Sequence, residues 1–411
     1  MNHTLTPQQT TDVVLPNGLR LVAAVDRDAP VVEIRLGIPC AGIGAAHAAV
    51  AQVLSEVVLR PAADVAPAHR EAWAVADIGC GRDLDRLGVF GYTPSASLGQ
   101  VLHEIAAGLT QPRYTDTDVV DTRQKLASHV AIGRSDARRT ALAALLLRRH
   151  TAHAAPWDLP STHALARVEP DMVRALQRNR VRPEGSTLVL VGDFPPGDVV
   201  TLAERAFADW RGGTLAEAVP AAVPLPPAPD DIVLVHRPHS AQAELLMTGT
   251  APRRGHARRP AYDIANAVLG GGVGSRLSAN LRERKGYAYL AASATEVMAG
   301  RPTSIVRLAV GEPSAAAALA ETRSELSALA DRPPGPAEIA HAKRLLAGRV
   351  VTACASAAAR ATLLANLMAE GAAPPVDRRL RPPPVRSRRG RRRRDGARPL
   401  RPGRLRHRGR R

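Results

Sequence analysis

The sequence states one order of strands and helices twice, on either side of a proline- and alanine-rich stretch, AEAVPAAVPLPPAPDD, at residues 216–231. A duplication constrains the fold more than any single motif, because each copy must bury its own apolar faces. The first copy opens with VVLPNGLRLVAAV, two short apolar runs around an Asn-Gly turn, which predicts paired strands. VVEIRLGI follows as a further strand, then an Ala-rich helix over about residues 45–59. Apolar residues at helical intervals in LGQVLHEIAAGL predict a helix over residues 98–109. Asp116 or Asp118 stands where it can cap a long polar helix running to about residue 132. Residues 138–150 read as another helix, and STLVLVGDF as a continuous apolar strand leading into the helix of DVVTLAERAFADW.

The second copy repeats this order. IVLVHRP and ELLMTGTA read as strands, PAYDIANAVLGG as a helix, YAYLAASATEV and TSIVRLAVG as strands, and residues 315–329 and 336–368 as helix. The stretch between the copies would run extended and semi-rigid. The expected organisation is a first domain over 1–215, the linker, a second domain over 232–373, and an Arg/Pro-rich tail over 374–411. The fold class expected is α+β, with two duplicated domains of mixed sheet packed by helices.

At 411 residues the chain exceeds one typical core, and with only 3% aromatic residues those cores must be built from Leu, Val and Ala. The net charge of +18 suggests nucleic acid until its distribution is considered. Residues 377–411 hold 17 arginines against Asp377 and Asp395, leaving 39 Lys+Arg and 36 Asp+Glu for the rest of the chain. The body is near neutral, and the tail lacks the interleaved aromatics of a base-reading surface. No run of about 18 apolar residues predicts a membrane-crossing helix. The N-terminal residues show no basic-then-apolar leader pattern, and Cys40, Cys80 and Cys354 have neither disulfide-framework nor zinc spacing. These features lead us to expect a cytoplasmic protein.

The glycines at 270–272 and 274 match neither the P-loop nor the dinucleotide fingerprint, and read as the end of one helix. His150, His153 and His163 lack flanking thiolates or carboxylates and read as a solvated helix end. His103 and Glu104, adjacent on a helix, point to different faces.

Residues 270–289, GGGVGSRLSANLRERKGYAY, resemble the signature of the second domain of pitrilysin-type (insulinase, M16) zinc peptidases. The resemblance covers roughly residues 12–370 and implies two domains facing each other like a clam shell. It also implies that an arginine and a tyrosine seven positions apart, here Arg282 and Tyr289, reach the bound peptide. The tyrosine hydroxyl would donate to the oxyanion of the tetrahedral intermediate, and the guanidinium would hold peptide carbonyls or orient that hydroxyl. Gly271, Gly272, Ser275 and Arg276 would lie near the peptide-binding cleft. The family's zinc motif, His-x-x-Glu-His, places two ligands and a general base on one helix. Here those positions hold His47, Val50 and Ala51, and Ser128-His129 stand about where a downstream glutamate ligand belongs.

The expected function is therefore the non-zinc subunit of a heterodimeric peptidase, with peptide as substrate, zinc in the partner subunit and no cofactor in this chain. Two alternatives stay open: a non-catalytic scaffold of the same fold, and a non-specific nucleic-acid binder acting through the basic tail. The tail also admits a reading-frame artefact. Codons exist for residues 401–411 that, read one base over from the glycine codon, spell Ala-Asp-Phe-Ala-Thr-Val-Val-Val, the kind of apolar strand that closes the first copy.

Overall fold

The computed structural model describes residues 10–42, 44–60, 67–133, 136–149, 160–212, 232–298 and 301–371. The first half begins with β1 (Thr10–Val14), β2 (Arg20–Val25) and β3 (Val31–Pro39). Helices α1 (Gly44–Val57) and α2 (Pro67–Ala74) lead to β4 (Asp77–Arg82) and β5 (Arg86–Pro94). Five helices follow: α3 (Leu98–Thr110), α4 (Asp116–Gly133), α5 (Ala137–Arg149), α6 (Thr162–Ala166) and α7 (Pro170–Arg180). The half closes with β6 (Thr187–Gly192) and α8 (Pro196–Ala206). The second half contains β7 (Gln242–Thr250), α9 (Arg259–Gly270), β8 (Ala288–Met298), β9 (Arg301–Gly311), α10 (Ala315–Asp331), α11 (Pro336–Ala353) and α12 (Ala357–Ala369).

The class is α+β, with open sheets. The first sheet has the order β1-β2-β6-β3-β5-β4, and only β2 and β6 run parallel. Residue alternation splits β2 and β6 between two cores. Leu21, Ala23, Leu188 and Leu190 face α1, α3 and the other helices of the first half. Val22, Ala24, Val189 and Val191 face α12, which comes from the second half. The second sheet reciprocates. Val306, Leu308 and Val310 pack with Leu269 of α9 and Ala318 of α10, while Ile305 on the opposite face meets Leu146 of α5. Each half thus lends one helix to the back of the other half's sheet.

A buried ion pair fixes this exchange: Arg360 of α12 donates to the Asp26 carboxylate at the end of β2. Around it, Arg86 donates to the Ala369 carbonyl at 3.0 Å, and Arg254 takes Glu370 through two hydrogen bonds of 2.7 and 3.1 Å.

Four expectations need correction. The cap of α4 is Thr115, whose hydroxyl accepts from the Asp118 amide at 3.1 Å; Asp118 returns the favour by accepting from the Thr115 amide at 2.8 Å. This reciprocal arrangement satisfies two otherwise orphaned amides. The helix expected over residues 336–368 is two helices bent by 113°, with Ser356 capping the second through the Ala359 amide at 3.1 Å. IVLVHRP forms no strand. The second sheet, among the described residues, has only three strands, ordered β7-β9-β8 and wholly antiparallel, so it is not mixed.

Among the described residues no single helix is long and apolar enough to cross a membrane. His150, His153, the linker at 216–231 and the tail at 374–411 lie outside the described residues.

Candidate functional site

The glycine cluster ends α9 because side chains there would collide with the sheet. A Cβ on Gly270 would stand 2.4 Å from the Ser293 amide nitrogen of β8, and Gly274 adopts φ +83°. The close approach lets the Ser293 hydroxyl donate to the Asn266 carbonyl at 2.9 Å. The chain then enters a π-helical segment, Ser278–Arg284, anchored by the fully buried Leu277 and Leu281. Single π-turns of this kind are rare and cluster at functional sites.

The polar residues of the segment divide into two groups. One group is tied to α10 and α11. Buried Asn280 donates to Glu321 at 3.1 Å and to Glu325 at 2.8 Å. Lys285 pairs with Glu321, and Arg284 lies 3.9 Å from Glu325. Arg276 holds Glu338 at 2.7 and 3.0 Å, and these bonds depress the Glu338 carboxyl to about 2. The other group is Arg282, which is exposed and, among the described residues, has no hydrogen bond or ion pair.

Tyr289 is 81% exposed at the start of β8. Ala288 pairs with Val310 and Leu290 with Ala309, so Tyr289 is the extra residue of a β-bulge and faces no partner on β9. A bulge leaves its extra residue out of the ladder and re-aims the side chain. Gly286, at φ +65°, makes the turn between the two irregularities, and Tyr287 packs inward against the second core. Arg282 and Tyr289 therefore project from one π-helix-to-strand turn, and both are free to take a ligand.

The four residues expected near the cleft have packing work instead. Gly271 and Ser275 are buried, and the Gly271 carbonyl accepts from Arg349. Gly272 lies against Leu345, and Arg276 is spent on Glu338. None of the four side chains or backbones is presented as Arg282 and Tyr289 are. A groove of about 580 Å³ does run beside the π-helical segment, lined by charges of both signs including Glu283 and Arg332.

In the first half, α1 carries His47, Val50 and Ala51. The His47 ring meets the Cys40 carbonyl at 2.9 Å through Nε2 and occupies the space over Gly42, where a Cβ would stand 2.3 Å from it. Burial holds its pKa below the ordinary value. Val50 and Ala51 are buried and offer no donor atom, while Ser128 and His129 are exposed on α4. Burial pushes the Cys40 and Cys80 thiols up to about 11 and about 12, far from the thiolate a metal needs. The donor set does not fit a zinc ion.

Sequence reading found Arg282 and Tyr289 but missed why they stand out. The π-turn and the bulge have no composition of their own, and Asn280 gave no sign that it would tie the turn to α10.

Residues 167–346 match the family model described as the peptidase M16 inactive domain. The chain is 31% identical over 127 residues to an uncharacterized zinc protease of Streptomyces coelicolor, a match spanning 29% of this chain and 27% of that protein. A Helicobacter pylori protease superposes with a TM-score of 0.77 at 17% identity, covering 89% of this chain and 90% of the other. The peptidase M16 inactive domain from Pseudomonas fluorescens gives 0.73 at 17% identity, with 88% of each chain covered. At these identities the two structures speak for the fold, and together with the sequence matches they bear out the M16 resemblance.

Proposed function

We propose, with the M16 resemblance as premise, that this chain is the zinc-free subunit of a heterodimeric peptidase. The observation that carries the reading is the contrast within one turn. Arg276, Arg284 and Lys285 are engaged by glutamates, whereas Arg282 and Tyr289 are exposed and uncommitted. In this role Arg282 binds carbonyl oxygens of an extended peptide, its planar fork suiting two acceptors at once. Tyr289 donates its hydroxyl proton to the oxygen on which negative charge gathers as the scissile carbonyl is attacked. The metal and the general base belong to the partner subunit, because Val50 and Ala51 can supply neither.

A cytoplasmic setting and a degenerate zinc site are parts of the same proposal. Co-purification with a zinc-bearing M16-type chain tests it: peptide hydrolysis should appear in the mixture and be absent from either chain alone. A stable complex without hydrolysis of any peptide in a mixed library would favour the scaffold reading instead.

A further inference from the structure

The second sheet repeats the register of the first with one strand left out. In the first half β3 lies between β5 and β6, with Val31 opposite Pro94 and Val32 opposite Gly192. In the second half β7 pairs with β9 in the same frame, Gln242 opposite Gly311, and Ala243, Leu245 and Met247 point inward as Val32, Ile34 and Leu36 do. Ala243–Thr248 therefore corresponds to the stretch of β3 that pairs with β6. Among the described residues nothing pairs with that edge.

A second observation marks the same gap. Residues 232–235 precede β7 by the same interval that separates residues 21–24 from β3. Leu21, Val22, Ala23 and Ala24 are at most 3% exposed, because β2 pairs in parallel with β6. Ile232, Val233, Leu234 and Val235 are 63%, 50%, 86% and 41% exposed. An apolar run of strong strand formers stays unpaired because the strand it would pair with is missing.

We propose that the β7 edge and residues 232–235 form an acceptor site for one extended apolar peptide strand, supplied by another polypeptide. Strand addition to a free edge draws its affinity from main-chain hydrogen bonds and its selectivity from alternate side chains. The chain does not carry the occupant itself: outside the described residues it nowhere places two of Val, Ile or Leu side by side. The chemistry follows from β6, Thr-Leu-Val-Leu-Val-Gly, running antiparallel to β7. The final glycine is specified, since a Cβ on Gly192 would stand 2.1 Å from the Val31 carbonyl oxygen.

The test uses the full chain and a synthetic peptide carrying TLVLVGDF between lysine pairs, read by amide hydrogen exchange. Saturable protection of residues 243–248 and 232–235 is expected, with a rise in melting temperature. The same peptide with its glycine changed to valine, or with a central proline, should fail. Leu234→Lys alters a side chain already in solvent, so the chain should fold as before, but it should bind the peptide on the order of tenfold more weakly. No protection at any peptide concentration would overturn the proposal. So would protection that grows with chain concentration alone, which would assign the edge to a second copy.

Discussion

Arg276 holds Glu338 through two hydrogen bonds, 2.7 Å from Nε and 3.0 Å from a terminal nitrogen, and so fastens the entrance of the π-helical turn to the first turn of α11. Glu338 also accepts from the Gly335 amide at 2.8 Å, satisfying one of the orphaned donors of that helix. The carboxyl titrates near 2, below the ordinary glutamate value of about 4.3. A depressed pKa stabilises the fold above the ordinary value, and that contribution is lost as pH falls through about 2. The pair is partly solvated, so Glu338→Gln should cost about 1 kcal/mol at neutral pH. Denaturant unfolding of both proteins between neutral pH and the acid limit checks this. The gap should close below about pH 4, and a gap independent of pH would contradict the assignment.

The Asp26–Arg360 pair should behave as a buried one, with side chains 8% and 13% exposed. Asp26→Ala leaves the Arg360 charge without its partner and should cost roughly 3–5 kcal/mol. Replacing both by apolar residues, Asp26→Leu with Arg360→Met, should restore most of that loss. Unfolding curves for the single and double variants decide it. Equal losses in both would mean that α12 is held to the first sheet by something other than charge compensation.

Elemental analysis of the purified chain should find no stoichiometric zinc, and the chain should hydrolyse no peptide alone. Val50 and Ala51 provide the reason: two positions of the motif carry only buried hydrocarbon. One tightly held zinc per chain, with activity lost on chelation, would overturn this.

Much of the fold was legible where local chemistry decides local structure. The Asn-Gly hairpin of β1 and β2, the Ala-rich α1 and the amphipathic α3 follow from turn residues and periodicity. β4 and β5 escaped notice because glycines and charges interrupt their alternation in DIGCGRDLDRLGVFGY. IVLVHRP was misjudged for a different reason. It has the composition of a strand, but strands exist by pairing, and its partner is distant in sequence. The break between α11 and α12 carries no proline or glycine, and Ser356 was its only cue. At the site, residue identity pointed to Arg282 and Tyr289, but that Arg276 would be spent on Glu338 depends on a helix 62 residues away.

The reading frame of the tail follows from the gap beside β7. We propose that the gene's 3′ end is read out of frame, since a one-base shift can yield Ala-Thr-Val-Val-Val-Gly in place of arginine-rich sequence. That run matches the Thr187–Gly192 strand in length, apolar character and final glycine. Resequencing should reveal the shift, and a chain extended in the restored frame should bury residues 232–235. A single unambiguous frame, with an intact arginine-rich tail in the mass spectrum, would rule it out.

The central claim is that Arg282 and Tyr289 act on a peptide bound between this chain and a zinc-bearing partner. Its most direct test is the turnover of the reconstituted pair with Tyr289→Phe, a change that removes one hydroxyl from an exposed side chain and leaves packing alone. Loss of one oxyanion donor predicts a fall in kcat on the order of 10²-fold, with complex formation unchanged. Arg282→Ala should weaken KM as well, since it removes peptide contacts. Unchanged kcat and KM in the double variant would contradict the account and leave the two residues as ordinary surface.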